Sequence, residues 1–161
     1  MSTQASSTNT TSREGELSLS ALLSTLSIIL HPTTYVFATI PSSQFNAPDF
    51  PIPLADILLF FREPRSDATS QVTLILPLST ATLHSIEYTY PCKMLTCNVH
   101  SSLSAVGFMA TLATKLAERG ISVNPVSGFF HDHLFVPVES AEEAVGILER
   151  VRREAGERRE V

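Results

Sequence analysis

The chain has 161 residues, a hydrophobic fraction of 43% and a mean hydropathy of +0.16, which fits a packed globular body with one core or two small lobes sharing one. Its net charge is −5, and five of its 11 basic residues (Arg150, Arg152, Arg153, Arg158 and Arg159) crowd among glutamates near the C-terminus, so no basic face is left for a phosphate backbone. Tryptophan is absent and aromatics stand at 7%, which disfavours a base-stacking platform; nucleic acid is not an expected partner.

Cys92 and Cys97 have opposite pleat phases if both lie on one strand, and their spacing suits neither a disulfide nor zinc. Two reduced, buried thiols in a cytoplasmic protein are the expectation. No signal-peptide pattern and no apolar run of membrane-spanning length is present.

Residues 1–15 are mostly Ser, Thr, Asn and Gln, with too little apolar surface to offset ordering entropy, and are expected to be a disordered tail. From Glu16 to Leu30, Leu19, Leu22, Leu23 and Leu26 mark a helical face that His31-Pro32 should end. Thr34 to Ile40 is β-branched and aromatic and reads as a strand; Pro41 to Pro53 reads as a long loop. Ile57 to Arg62 reads as a core strand, Glu63 to Ser70 as a polar turn, and Gln71 to Pro77 as the hairpin partner. Leu78 to Ser85 predicts a short helix with Ser79 as a possible N-cap, followed by an extended connection from Ile86 to Pro91.

Lys93 to Val99 predicts a strand, and Ser101 or Ser102 is placed to cap the next helix, whose Leu103, Val106, Met109, Leu112 and Leu116 recur at helical spacing up to Gly120. Ile121 to Ser127 and Leu134 to Val138 predict strands about a tip at Gly128 to His133. Ser140 to Glu143 reads as a capping box opening a last helix that frays from Gly156. The second half is thus β-α-β-β-α, most of a ferredoxin-like βαββαβ unit, and the first half a looser α-β-β-β-α. Neither half is complete, so the expected fold is α+β with two lobes that share or pack antiparallel sheets. A single sheet with helices on one face is the alternative.

At Val99 to Phe108 (VHSSLSAVGF) and Phe130 to Val138 (FHDHLFVPV) the chain resembles small two-lobed ACT-like proteins. These pair an N-terminal ACT-like domain with a C-terminal ACT domain similar to those of the cytosolic arginine sensors of the TOR pathway. The stretches His31 to Phe37, Leu74 to Pro77 and Gly120 to Ser122 match in order, and His131 to Pro137 is the most distinctive. The resemblance implies an N-terminal ACT-like domain over 16–90, a C-terminal ACT domain over 91–153, and a frayed charged tail over 154–161. It implies a non-enzymatic regulatory module that binds an amino-acid-like effector, forms homodimers, and needs no cofactor or metal.

The residues are compatible with that implication. A strand running into Ser101 and Ser102 and then a helix presents first-turn N–H groups without intrahelical partners, suited to a carboxylate. Ser101 and Ser102 would supply hydroxyls and backbone donors, while Leu103, Ala105, Val106 and Gly107 would wall a pocket that His131, Asp132 and His133 close from the hairpin. The small residues Ala105 and Gly107 equally suit packing against a second lobe, and an interaction module without ligand is the rival reading. A metal-assisted hydrolase is a distant third. His131 and His133 share a strand face but lack a convergent third ligand, and adjacent Asp132 and His133 face opposite ways, so they cannot form a triad with Ser101.

Overall fold

The computed structural model describes residues 14–64 and 70–159. The expected disordered tail lies outside the described residues except for Glu14 and Gly15, and so does most of the polar turn after Glu63. In chain order the elements are α1 (Leu19–Thr25), β1 (Ile28–Pro41), α2 (Ser42–Phe45), β2 (Leu59–Glu63), β3 (Gln71–Pro77) and α3 (Leu78–Leu83). They continue with β4 (Tyr88–Cys97), α4 (Phe108–Ala117), β5 (Asn124–Ser127), β6 (Asp132–Pro137) and α5 (Ala141–Glu157). Single 3₁₀ turns precede β2 at Leu54–Asp56 and α5 at Val138–Ser140.

One six-stranded sheet, in the order β2-β3-β1-β4-β6-β5, carries the whole fold, and its pairings are antiparallel. Two βαββαβ units can be traced in it, and they overlap. The first runs β1-α2-β2-β3-α3-β4 and the second β4-α4-β5-β6-α5, with β1 at its fourth strand position. Each of the two long central strands therefore serves as the first strand of one lobe and the last of the other. Strands are shared between the lobes, as the incomplete halves of the sequence imply.

Helices cover one face of this sheet. Leu95 and Cys97 of β4 and Leu134 and Val136 of β6 pack with α1, α4 and α5 in one core, to which Ile28 and Leu30 of β1 add. Val36, Ala38 and Ile40 of β1 pack with Val72, Leu74 and Leu76 of β3, against Phe45 of α2 and Ala81 of α3. Even-numbered β1 residues thus point to the helices at both ends of the strand, Ile28 and Leu30 in one lobe and Val36, Ala38 and Ile40 in the other. The opposite face carries Ile75, Cys92, Met94 and Phe135, fully or nearly buried by neighbouring rings, with no helix among the described residues contributing. There the Tyr35 and Phe37 rings meet Phe135 edge-on at 6.1 and 5.7 Å, and Phe37 meets Tyr90 at 5.8 Å. Cys92 and Cys97 fall on opposite faces, both as free thiols, and burial pushes them up to about 11 and about 12.

Several local expectations are corrected. The first helix is only α1, and Ile28 already belongs to β1, which runs through His31-Pro32 rather than starting after it. The pairing of β1 with β4 shifts register between Leu30 and Thr34, so Pro32 sits where no ladder N–H is needed, and the Lys93 ammonium donates to its carbonyl. The apolar run at Ile57 to Arg62 forms an edge strand, not a core one: Phe60 and Phe61 are exposed, with Phe60 and the Arg62 guanidinium lying over Phe45. Ser79 does not cap α3, which begins at Leu78 with Pro77 in that place. Ser140 makes no side-chain cap either, because a 3₁₀ turn leads directly into α5. That helix continues through Gly156 to Glu157, where Ala155 is still buried against the core.

On the uncovered face, the Thr96 hydroxyl lies between two imidazoles, 2.7 Å from His31 Nε2 and 3.0 Å from His133 Nδ1. A hydroxyl has one proton, so it donates to one ring and accepts from the other. Burial, then the nearby His131 and His31, hold His133 below the usual histidine range. With the folded pKa below the unfolded value of about 6.5, the folded chain binds fewer protons, so its stability falls as pH drops through that value and levels off below the folded pKa. Thermal melts between about pH 7.5 and pH 5 should show this decline, and His133→Gln should flatten part of it. Leu95→Ala, in a shared strand, should cost about 2–5 kcal/mol. Because β1 and β4 belong to both lobes, urea denaturation of that variant followed by probes in either lobe should give one coincident transition.

Candidate functional site

The connection from β4 to α4 is the longest loop of the second lobe, and α4 begins later than its apolar spacing suggests. Residues 98–107 form a loop, and the helix starts at Phe108. Ser101 and Ser102 do not cap it. The cap position is Gly107, whose φ of +89° is a left-handed conformation that L side chains rarely adopt. The expected mid-helix glycine is therefore a helix-entry glycine, and its Cβ position would meet Leu19 Cδ2 of α1 at 3.5 Å. Thr111 N–H donates to the Gly107 carbonyl at 2.9 Å, which leaves the N–H groups of Phe108, Met109 and Ala110 without partners inside the helix.

Those first-turn residues line one side of a cavity of about 140 Å³. Asp132, the first residue of β6, lines it together with Ser101, Ser102, Leu103, Ala105, Gly107 and Ser127. Asp132 is only 5% exposed, because it points with Leu134 and Val136 to the helix-covered face of the sheet. The Ser101 hydroxyl donates to its Oδ2 at 2.6 Å and the Ser127 hydroxyl to its Oδ1. Cys97, its cross-strand neighbour, is held up further by that carboxylate after burial itself. Among the described residues no cationic side chain forms an ion pair with Asp132. A wider cleft of about 360 Å³ shares Ser101, Ser102 and Leu103 and is walled by Glu14, Gly15, Leu17, His100, Ser104 and Phe129.

Of the residues singled out in the sequence, the structure brings Ser101, Ser102, Leu103, Ala105, Gly107 and Asp132 around one cavity. It leaves three outside. Val106 is 85% exposed and does not line the cavity. His133 lies on the opposite face of the sheet with Thr96, as alternation along β6 requires, and is corrected out of the cavity. His131 belongs to the hairpin tip, where its carbonyl accepts from Gly128 N–H, and does not line the cavity either. Ser101 and Asp132 are bonded, but the imidazole that a triad needs is on the far side of the sheet. No cluster of three or more metal-ligating side chains occurs among the described residues. Sequence reasoning missed Ser127, the cross-strand partner of Asp132, which a correct hairpin register would have exposed. It also missed the Gly15 and Leu17 wall, which carries no local signal.

The first lobe offers an internal control. Counting from the strand ends, Tyr35 opposite Pro77 and Ile40 opposite Val72 match Cys92 opposite Pro137 and Cys97 opposite Asp132. Val72, fully buried, thus stands where the second lobe has Asp132. In place of the 98–107 loop, β1 passes at Pro41 straight into α2 at Ser42. That position holds an apolar core contact rather than a polar cavity.

Comparison with known proteins places the architecture. ACT domain sequence profiles match residues 14–93 and 87–150, overlapping in the first part of β4, the strand common to both lobes. A solved structure from Vibrio cholerae, described as a protein of unknown function and possible transport protein, is 35% identical. It is matched over 83% of this chain and 95% of its own, with a TM-score of 0.68. An Agrobacterium tumefaciens protein is 17% identical over 79% and 89% of the two chains with a TM-score of 0.58. The regulatory subunit of aspartate kinase from Thermus flavus is 14% identical over 77% and 95%, with a TM-score of 0.53. These last two share the fold. Among curated proteins, none matches the sequence. No helix among the described residues is long and apolar enough to cross a membrane. With two ACT profiles covering nearly all of its described length and a 35% identical relative of the same fold, the chain belongs to the ACT domain family as a two-lobed member with shared central strands.

Proposed function

We propose that the protein is a non-enzymatic regulatory module that binds one amino-acid-like effector per chain in the cavity between the 98–107 loop and Asp132. The observation that carries this reading is the pairing of opposite electrostatic characters across one small cavity. At one side stand first-turn N–H groups of α4, which suit a carboxylate. At the other stands a buried carboxylate whose hydrogen-bond donors are neutral hydroxyls. A zwitterion, or an amino acid with a cationic side chain, complements both at once. The shared fold with aspartate kinase regulatory subunits supports the regulatory part of the reading.

A specific observation also favours a second copy of the chain as partner. Leu17, Leu103 and Phe129 are exposed around the open cleft, and beside them the exposed Phe130 ring meets His100 at a tilt, 5.4 Å between centroids. A contiguous apolar rim about a polar cavity suits closure by another protein surface. On this reading the module is a homodimer, working in the cytoplasm, with the 16–90 and 91–153 segments as its two ACT domains.

A thermal-shift screen with proteinogenic amino acids tests the effector. Saturation at about 100 times Kd adds about 2.7 kcal/mol of stability, or roughly 5–10 °C for a chain of this size. Asp132→Asn keeps the shape and removes the charge, and should weaken binding about 10- to 100-fold. Calorimetry should give one ligand per chain; two would mean that the first lobe also binds. A flat screen across the panel, together with self-association through the rim, would sink the effector and leave the interaction module.

A further inference from the structure

The residues just before α1 do more than lead into a helix. Glu16 N–H donates to the His100 carbonyl at 2.8 Å, and Ser102 N–H donates to the Glu16 carbonyl at 3.0 Å, so Glu16 forms an isolated parallel bridge with Ser101. The bridge is made by backbone alone. The Glu16 carboxylate turns the other way and accepts from Leu17 N–H at 2.8 Å and Ser18 N–H at 2.7 Å, at the start of α1. Ser18 then caps that helix by accepting from Ala21 N–H at 3.3 Å. Leu22 and Leu23 of α1, and Leu26 just after it, are in turn buried in the second lobe's core.

Gly15 is what allows the approach. Its φ is +66°, and a Cβ there would lie 2.6 Å from Ser102 N and 2.8 Å from the Ser101 carbonyl carbon. Both are backbone atoms, which cannot swing aside as a side-chain tip could. A side chain at this position therefore displaces either the segment or the loop. The loop residue held in this way is Ser101, whose hydroxyl donates to Asp132 at 2.6 Å. Glu14, Gly15 and Leu17 also wall the wider cleft that opens beside Ser101 and Ser102.

We infer that Gly15 and Glu16 are positioning residues of the effector site: they form a backbone strap that sets Ser101 and Ser102, and through Ser101 the Asp132 carboxylate, and so couple the segment leading into α1 to the cavity. The strap rests on the effector reading for its use but not for its existence. Its wall is separate from the core contacts of α1, so displacing it should loosen the loop while leaving the fold in place.

Amide hydrogen exchange on the full chain, with and without the amino acids of the thermal-shift panel, tests this. In Gly15→Val the Ser102 amide should exchange about tenfold faster or more, since its backbone acceptor is withdrawn, while amides of β4 and β6 keep their protection. The apo melting temperature should move little, and the amino-acid-induced shift should shrink or vanish. If Gly15→Val does not fold, Glu16→Pro, which replaces the N–H that bonds to His100 with a ring carbon facing the same carbonyl, displaces the strap at the bridge itself, and the same pattern is expected. Unchanged exchange at Ser102 in the variants overturns the strap. Faster exchange with an undiminished amino-acid shift overturns its positioning role. If the unmodified chain responds to none of the panel, the exchange result still decides the strap, and it is the effector reading that falls.

Discussion

The antiparallel pairing of β1 with β4 is the constraint on which the rest of the molecule depends. Each strand is long enough to be paired at two levels, and each is the first strand of one ferredoxin-like lobe and the last of the other. A single lobe made from either half of the sequence would lack a strand and would expose an edge beside its core. Sharing removes that edge and joins two small cores through one pair of strands. The cost appears in the register: the ladder slips between Leu30 and Thr34, where Pro32 occupies the slip, and again between Tyr35 and Phe37. The amide that proline lacks is one that a slipped ladder does not use.

Two lobes on one template make their differences informative. At matched positions of the third strand, one lobe has buried Val72 and the other buried Asp132. At matched exits from the first strand, one lobe turns at once into α2 while the other inserts the 98–107 loop before α4. Both changes run in the same direction, from packed to hollow. Burying a carboxylate is unfavourable unless its lone pairs are met, and Ser101 and Ser127 meet one oxygen each. The first lobe is closed at this position by an apolar contact, and the second keeps a cavity there.

Much of this was legible in the residues. Runs of β-branched, aromatic and apolar residues mark the strands, the incompleteness of each half implies shared strands, and pleat alternation separates Asp132 from His133. What was not legible turned on backbone conformation and on long-range register. The spacing of Leu103 and Val106 suits a helix, but Gly107 takes a positive φ and starts the helix one residue later, leaving Val106 in solvent. The leucine spacing that marks α1 cannot reveal that Ile28 and Ile29 pair with Cys97 and Thr96, residues almost seventy positions away. Gly156 looks like a stop, yet Ala155 packing holds the helix past it. Ser127 is one serine among many until the β5–β6 register sets it opposite Asp132.

Charge placement across the cavity bears on what could enter it. Hydroxyl donors satisfy the geometry of Asp132 without cancelling its charge, and the low-dielectric surroundings of the second core make that residual charge count for more than it would at the surface. The first turn of α4 presents partial positive charge across the same small space, which moderates the field, while Ser101 and Ser127 leave each Asp132 oxygen a further lone pair for a cationic group. A simple anion would gain from the helix and be repelled by Asp132; a simple cation would meet the reverse. Only a ligand carrying both signs, separated by a few ångströms, gains at each end, and a cavity of about 140 Å³ limits how far apart those ends can be. On the proposed reading, selectivity for compact zwitterions is therefore a consequence of where one aspartate stands relative to one helix terminus.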